Sequence, residues 1–303
     1  MEKVIIIGAG PAGISAALYA VRGNLDPLVI NNGIGALEKA EKIENYYGLE
    51  HPLSGQELYD TGIAQAKALG VRMLDAQVLG VGGFDNFVVK TTEGEFETQS
   101  LILATGSKRA APKIPGVKEF EGRGVSYCAI CDAFFYRGKD VAVLGNGDFA
   151  MHEAKELANT ASTVTIYTNG EEPEFTLEGN ISVNTMKIQS VEGDELVSGI
   201  RLAPDMRAQE TDSDTEKAVG EFCHADGLFI AMGTAGSTEI ARQMGAELTE
   251  KGNILVNENM ETTIPGLYAA GDCTGGLLQV AKAVCDGAQA GINAGKYVRS
   301  LNK

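Results

Sequence analysis

Residues 4–13 read Val4-Ile5-Ile6-Ile7-Gly8-Ala9-Gly10-Pro11-Ala12-Gly13, and this stretch decides the fold. Four β-branched residues in a row suit a strand buried on both faces. Glycines at 8, 10 and 13 follow at once, and Ile14 to Val21 then carries a helical apolar pattern. Pro27 to Ile30 reads as the next strand, so the chain opens on a βαβ unit with its glycines at the strand-to-helix turn. Each glycine has its own task at a dinucleotide site. Gly8 permits the tight turn, Gly10 lets the backbone approach a pyrophosphate, and Gly13 lets the helix pack closely. The unpaired N–H groups of the helix start, around Pro11 and Ala12, then face the phosphates. An acid usually ends the second strand and holds a ribose hydroxyl. Asn31-Asn32 stands there instead, and Asn31 can make the same hydrogen bond.

The same grammar returns at Asp140. Val141 to Leu144 reads as a strand, Gly145-Asn146-Gly147-Asp148-Phe149-Ala150 as the turn, Met151 to Asn159 as the helix, and Thr163 to Tyr167 as the next strand. Gly145, Gly147 and Ala150 can cradle a second pyrophosphate, and Asp148 and Phe149 lie within that turn. A third strand-then-helix segment runs from Gly266-Leu267-Tyr268-Ala269-Ala270-Gly271-Asp272 into a small-residue helix through Tyr297. Two such units in 303 residues predict an α/β fold of two Rossmann-like three-layer domains, the second inserted into the first. The first domain reads as 1–113 with 238–303 and the inserted one as 114–237. Linkers fall at Ala110 to Val117 and near Thr234 to Thr238. Pro204 to Gly220, polar and mostly acidic, reads as an exposed loop.

A net charge of −16 removes the basic face that nucleic acid or an anionic membrane requires. No apolar run approaches the roughly 20 residues of a membrane span. The first residues lack the basic region of a signal peptide, which points to the cytoplasm. Five cysteines are too few and too scattered for a disulfide scaffold. Cys128-Ala129-Ile130-Cys131 carries the most specific signal: two thiols at this spacing close a small disulfide, and a nearby cation lowers one thiol's pKa to give a thiolate. Zinc wants further thiols or imidazoles at ligand spacing. The histidines are His51, His152 and His224; none completes a set, Cys223-His224 is half a site at most, and no metal is expected. Asp132 follows the pair directly and can give or take a proton in thiol exchange. Cys223, Cys273 and Cys285 read as small buried apolar residues.

The segments Gly8 to Gly13, Ile43-Glu44-Asn45-Tyr46, Leu103-Ala104-Thr105-Gly106, Cys128 to Asp132 and Gly271-Asp272, in that order, resemble the low-molecular-weight thioredoxin reductases over the whole chain. The resemblance implies FAD across the first domain. Gly271 and Asp272 would hold its ribityl and phosphate portion, and Gln279, Val280 and Ala281 would border the isoalloxazine. Asn45 would line the flavin pocket, with the Thr105-Gly106 segment also at the cofactor. It also implies a homodimer, and a dithiol on the inserted domain that passes electrons to the disulfide of a thioredoxin-like protein. In that family pattern Cys128 lies farther from the flavin, Cys131 nearer, and Asp132 is the acid. Spacing alone does not decide which cysteine attacks.

The second nucleotide site departs from the family. The family grips the NADPH 2′-phosphate with a His-Arg-Arg type cluster after the strand; here Tyr167-Thr168-Asn169-Gly170-Glu171-Glu172 follows. A 2′-phosphate needs cations, and the two glutamates repel it. Gly233 to Thr238 also lacks the family's Pro-Asn. Ordinary NADPH use is therefore not the leading expectation. The branches of the family that work without pyridine nucleotide take electrons from ferredoxin or carry a second flavin at this place. Between Lys108 and Asp140 seven cations (Lys108, Arg109, Lys113, Lys118, Arg123, Arg137, Lys139) face four acids, a basic stretch that suits an acidic electron carrier or scattered solvated surface alike. An NADPH- or NADH-dependent thioredoxin reductase is the alternative. A non-catalytic nucleotide-binding redox sensor is the rival of another class, and the intact dithiol followed by Asp132 counts against it.

Overall fold

A computed structural model describes residues 1–83, 85–106, 112–127, 129–204, 220–232 and 236–301, with the side chains of Ile130 and Cys131 outside that set. The chain divides into two compact units, Met1–Arg109 with Ala235–Lys303, and Ala110–Thr234.

The first unit begins with β1 (Glu2–Ile7), α1 (Pro11–Arg22) and β2 (Leu28–Asn31). Helix α1 starts three residues before the apolar pattern does, because Pro11 fits the first helical position, where no N–H is needed. Next come α2 (Gly55–Ala68), β3 (Arg72–Asp75), β4 (Val78–Gly82), β5 (Phe87–Thr91) and β6 (Gly94–Leu103). Helix α2 opens on a reciprocal cap: Ser54 Oγ accepts from the Glu57 N–H, and the Glu57 carboxylate accepts from the Ser54 N–H. The sheet runs β3-β2-β1-β6-β5-β4. Strand β1 pairs in parallel with β2 and β6, with Ile7 beside Ile30 and Leu103. Val4, Ile6, Val29 and Ile102 join the helix residues Ala16, Ala17, Ala66 and Ala290 in one core. The alternate residues Ile5, Ile30, Leu101 and Leu103 are also buried, so the sheet is covered on both faces, as the unbroken β-branched run requires.

The second unit then forms from β7 (Val125–Ser126), α3 (Ala129–Asp132), β8 (Asp140–Leu144), α4 (Asp148–Ala158), β9 (Thr163–Tyr167) and β10 (Ser182–Asn184). Strands β11 (Ile188–Gly193), β12 (Val197–Leu202) and β13 (Phe222–His224) make an antiparallel sheet, and β14 (Gly227–Ile230) returns to the parallel one. That sheet runs β10-β9-β8-β14-β7. Of the segment read as an exposed loop, residues 205–219 lie outside the described ones.

The chain returns to the first unit through α5 (Ser237–Gln243), β15 (Leu267–Ala269) and α6 (Val280–Leu301). Ser237 and Thr238, read from sequence as linker, are buried at the start of α5 instead, because Ser237 is bonded to Thr105 at the end of the sheet. Strand β15 extends the parallel sheet along the second half of β6, while β5 pairs antiparallel with its first half. Helix α6 packs along α1 with glycines at the contact. A methyl at Gly287 would sit 2.0 Å from the Ala12 carbonyl oxygen, and one at Gly291 2.2 Å from that of Ala16. No described helix is long and apolar enough to cross a membrane.

Gly291→Val is expected to destabilise the first unit by about 2–3 kcal/mol through overpacking. Gly82→Val, which meets nothing within 4 Å, should change stability by less than about 0.5 kcal/mol. Urea midpoints of the two variants check this.

Candidate functional site

The first glycine turn has the geometry its sequence demands. Gly8 has a φ of +107°, and a Cβ there would lie 2.4 Å from the Ala104 carbonyl oxygen. A Cβ on Gly13 would lie 1.8 Å from the Gly8 carbonyl oxygen, so helix and turn close only with glycine at both places. Gly10 is different. Nothing stands within 4 Å of where its Cβ would be, and the same is true of Gly106 at the end of β6. These are open stretches of backbone beside a helix start, which is what an approaching pyrophosphate needs.

Side chains far apart in sequence complete this end of the sheet. Gly271, with a φ of +83°, rests its Cα face against Ala12, and its N–H donates to Asp286 Oδ2 at 3.1 Å. Lys282 Nζ donates to the Gly271 carbonyl at 2.8 Å and to Thr274 Oγ1 at 2.7 Å, and pairs with Asp286 at 2.8 Å. Both backbone groups of Gly271 are thus tied down by one part-buried ion pair. Burial holds the Asp272 carboxyl above its ordinary value, with Lys282 pulling the other way. Thr105 and Ser237 bond three times, hydroxyl to hydroxyl at 2.7 Å, Ser237 N–H to Thr105 Oγ1 at 2.9 Å and Thr105 N–H to Ser237 Oγ at 3.1 Å. Asn45 Nδ2 donates to Gln279 Oε1 at 3.0 Å across 234 positions of sequence. Val280 and Ala281 follow in the first turn of α6.

Asn31 is already engaged. Its Nδ2 donates to Asp75 at 2.8 Å, and its Oδ1 accepts from the Tyr59 hydroxyl at 2.9 Å. Asn31 and Asp75 are register partners at the ends of β2 and β3. A carboxylate therefore does stand at this strand edge, supplied by the neighbouring strand.

In the second unit, Cys128 lies outside the described residues, and Cys131 lies in α3. Asp132 ends α3 half-buried, not on an exposed loop, with the Ser126 hydroxyl donating to its Oδ2 at 2.6 Å. The second glycine turn is tight at Gly145, whose Cβ would meet the Ala231 carbonyl oxygen at 2.2 Å, and open at Gly147. Asp148, Phe149 and Ala150 begin α4, and Phe149 is a buried core ring. The Asn146 carbonyl in that turn accepts the Glu174 N–H at 2.7 Å, which brings the 171–174 segment alongside it. Tyr167 and Thr168 are buried where a cationic grip would begin.

Three of the seven cations lie against aromatic rings: Arg123 on Phe120, Arg137 on Phe134 and Lys139 on Tyr136. Lys108 and Arg109 lie outside the described residues. Cys273 is buried and its thiol is pushed up to about 12 by that burial. Cys285, expected to be buried, is exposed on the outer face of α6, and Cys223 is half-buried. Cys223 hydrogen-bonds Tyr167, while His224 faces Ser198 and Asp226. Neighbours in a strand point to opposite faces, so these two cannot share a zinc ion. The sequence reading missed Lys282, Asp286 and Ser237. The only signal for the ion pair was its i, i+4 spacing just after the Gly271-Asp272 turn.

Two dinucleotide-type units in one chain, the second carrying Cys-x-x-Cys, define a flavin-linked disulfide oxidoreductase. The family model for pyridine nucleotide-disulphide oxidoreductases matches residues 2–287, and the chain belongs to that family. Thioredoxin reductase of Aquifex aeolicus (strain VF5) is 36% identical, over 99% of this chain and 94% of its own. Among solved structures, the atypical thioredoxin reductase TRi from Desulfovibrio vulgaris Hildenborough matches with a TM-score of 0.88 at 38% identity, over 99% of both chains. A ferredoxin-flavin thioredoxin reductase from Clostridium acetobutylicum matches with a TM-score of 0.70 at 30% identity, over 99% of this chain and 98% of that one. The protein is an FAD-dependent oxidoreductase of the thioredoxin reductase type. The open backbone at Gly10 and Gly106 and the clamped Gly271-Asp272 loop fit that cofactor.

Lys282→Met would leave Asp286 buried without its ion-pair partner and release the Gly271 carbonyl. The expected cost is about 3 kcal/mol, with FAD lost more readily on gel filtration. Adding Asp286→Leu should restore part of the stability but not FAD retention, because the Gly271 N–H stays without its acceptor.

Proposed function

We propose that this chain passes electrons from FAD through the Cys128/Cys131 pair to the disulfide of a thioredoxin-like protein, and that it takes them from a donor other than NADPH. The observation that carries the second clause is the edge of the second nucleotide cradle. Tyr167 and Thr168 are buried there, Glu171 and Glu172 are exposed, and the Glu174 N–H occupies the Asn146 carbonyl of the glycine turn. Lys187 packs along Gly170, and beside it Glu171 and Glu172 repel a 2′-phosphate brought to this edge. The ferredoxin-flavin enzyme named above supports a donor of another kind. Ferredoxin fits the acidic carrier that the cations of segment 113–139 would attract. A second flavin nucleotide is the other candidate, since Gly147 leaves its turn open.

In the first unit, Gly8, Gly10, Pro11, Ala12 and Gly13 would cradle the pyrophosphate, with Gly271 and Asp272 on the ribityl side. Asn31 would hold the ribose, its amide oriented by Asp75 and Tyr59. Asn45, Thr105, Gly106, Gln279, Val280 and Ala281 would frame the ring. Bound FAD supplies the two-electron reduction of the Cys128–Cys131 disulfide. One thiolate then attacks the partner's disulfide, forming a mixed disulfide and releasing one partner sulfur as thiolate. The second thiolate breaks the mixed disulfide, which restores the Cys128–Cys131 bond and leaves the partner reduced. Asp132, whose Oδ2 accepts the Ser126 hydroxyl, would exchange protons with the departing sulfur. Three further cysteines without disulfide bonds suit the reducing cytoplasm, where we place the protein as a homodimer.

Anaerobic addition of NADPH or NADH to the FAD-loaded protein is expected to leave the flavin absorbance unbleached, whereas dithionite and reduced ferredoxin bleach it. Rapid bleaching by NADPH would sink the non-NADPH reading. Cys131→Ser should bring protein-disulfide reduction down to background while FAD remains bound; parent-like turnover in that variant would refute the role of the dithiol.

A further inference from the structure

Asp140, His224 and Asp226 come from separate segments and meet at one edge of the second unit. Each presents one oxygen or nitrogen atom, and the three atoms lie within 4.8 Å of one another. The pairing of β8 with β14 brings them together. Asp140 opens β8, and Val141 is the register partner of Gly227, the first residue of β14. Asp226, just before that strand, therefore lies against Asp140. Its N–H donates to the Asp140 carbonyl at 2.7 Å, and its Oδ2 accepts the Asp140 N–H at 3.0 Å. His224 ends β13 and reaches the pair from the antiparallel sheet. The two aspartates are half-buried and the histidine is exposed.

Groups outside the trio hold its polar atoms in place. The Thr163 hydroxyl donates to Asp140 Oδ1 at 2.6 Å. His224 Nδ1 lies 2.9 Å from the Ser198 carbonyl oxygen. A carbonyl only accepts, so Nδ1 carries the proton, and in the neutral ring Nε2 presents its lone pair 3.8 Å from Asp226 Oδ2. A histidine that binds metal through one nitrogen ordinarily donates its other N–H in this way. Among the described residues, Asp140 Oδ2 and Asp226 Oδ1 accept no hydrogen bond, and no lysine or arginine pairs with either carboxylate. Two like charges thus share one edge without a cation, and a divalent ion between them would turn that repulsion into attraction.

We propose that Asp140, His224 and Asp226 bind one divalent cation of the zinc class. One imidazole nitrogen and two carboxylate oxygens, with no thiolate, make three ligands for a four-coordinate ion, and water takes the fourth place. The exposed imidazole is free to rotate, which brings its Nε2 to the bond length of about 2.1 Å that zinc requires. The bound ion joins β13 to the starts of β8 and β14, and so ties the antiparallel sheet to the parallel one within this unit. Cys223 points to the other face of β13 and takes no part. The site lies at the opposite end of β8 from the Gly145 turn, and it stands whether or not the dithiol reading holds. No metal was expected from the sequence because the ligands are not close in the chain: Asp140 and Asp226 are 86 positions apart.

The test is calorimetric titration of zinc chloride into FAD-loaded, chelator-treated protein with the Cys128–Cys131 disulfide closed. The parent is expected to take up one equivalent per chain. His224→Gln and Asp226→Asn should each weaken that binding by at least about tenfold, while Cys223→Ser leaves it unchanged. A parent that takes up no zinc overturns the proposal. So does equal affinity in both ligand variants, or a loss of affinity in Cys223→Ser, since the ion would then sit elsewhere. Should the ligand variants fail to fold, X-ray absorption of the zinc-loaded parent decides the matter. A shell of nitrogen and oxygen with one imidazole supports the proposal, and sulfur in that shell overturns it.

Discussion

Helix α6 lies on α1 with backbone against backbone. Gly287 and Gly291 meet the carbonyls of Ala12 and Ala16 at distances that admit no side chain, and the Ser15 hydroxyl donates to the Val284 carbonyl between them. This close approach brings the last 20-odd residues of the chain onto its first helix. The start of α1 holds the open backbone of Gly10, and the loop before α6 holds Gly271 and Asp272. Packing the two helices any farther apart would separate the two halves of the proposed flavin site. The Lys282–Asp286 pair then fixes the loop within that frame, at the cost of burying the Asp286 charge and partly burying that of Lys282.

The second unit repeats the strand, turn and helix of the first but uses them differently. Both glycine turns face open space, at Gly10 and at Gly147, but the second gives one carbonyl to Glu174 and has Glu171 and Glu172 after its next strand, where a phosphate grip needs cations. What the second unit gains is a seat for the dithiol segment. Asp132 and Glu153 both reach that segment and differ in setting. Asp132 is half-buried and tied to a hydroxyl, while Glu153 on α4 is enclosed and accepts the Ala129 N–H.

Local features were legible in the sequence and long-range ones were not. The strand-glycine-helix order of residues 4–21 and 141–158 needs only near neighbours, and the structure places both units there, with β9 ending at Tyr167. Helix starts were read late, since the pattern of apolar residues begins after the capping turn. Asn45 and Gln279 were named through resemblance alone, because nothing within either segment announces a partner 234 residues away. Ser237 looked like linker for the same reason: its partner Thr105 belongs to a strand 132 positions earlier. Glu153 was invisible, as a glutamate on an amphipathic helix ordinarily faces water, and only the tertiary contact with Ala129 turns it inward. Cys285 shows the converse error. Its small apolar character suggested burial, but its place on the outer face of α6 exposes it.

The central claim is that one chain holds two coupled two-electron centres, a flavin and the Cys128/Cys131 pair. Anaerobic dithionite titration of the FAD-loaded protein, followed by flavin absorbance and free-thiol count, tests it most directly. About four electrons per chain are expected in the parent and about two in Cys131→Ser, since a flavin and a disulfide each take two. A parent titration that ends at about two electrons, with no new thiols, would contradict it.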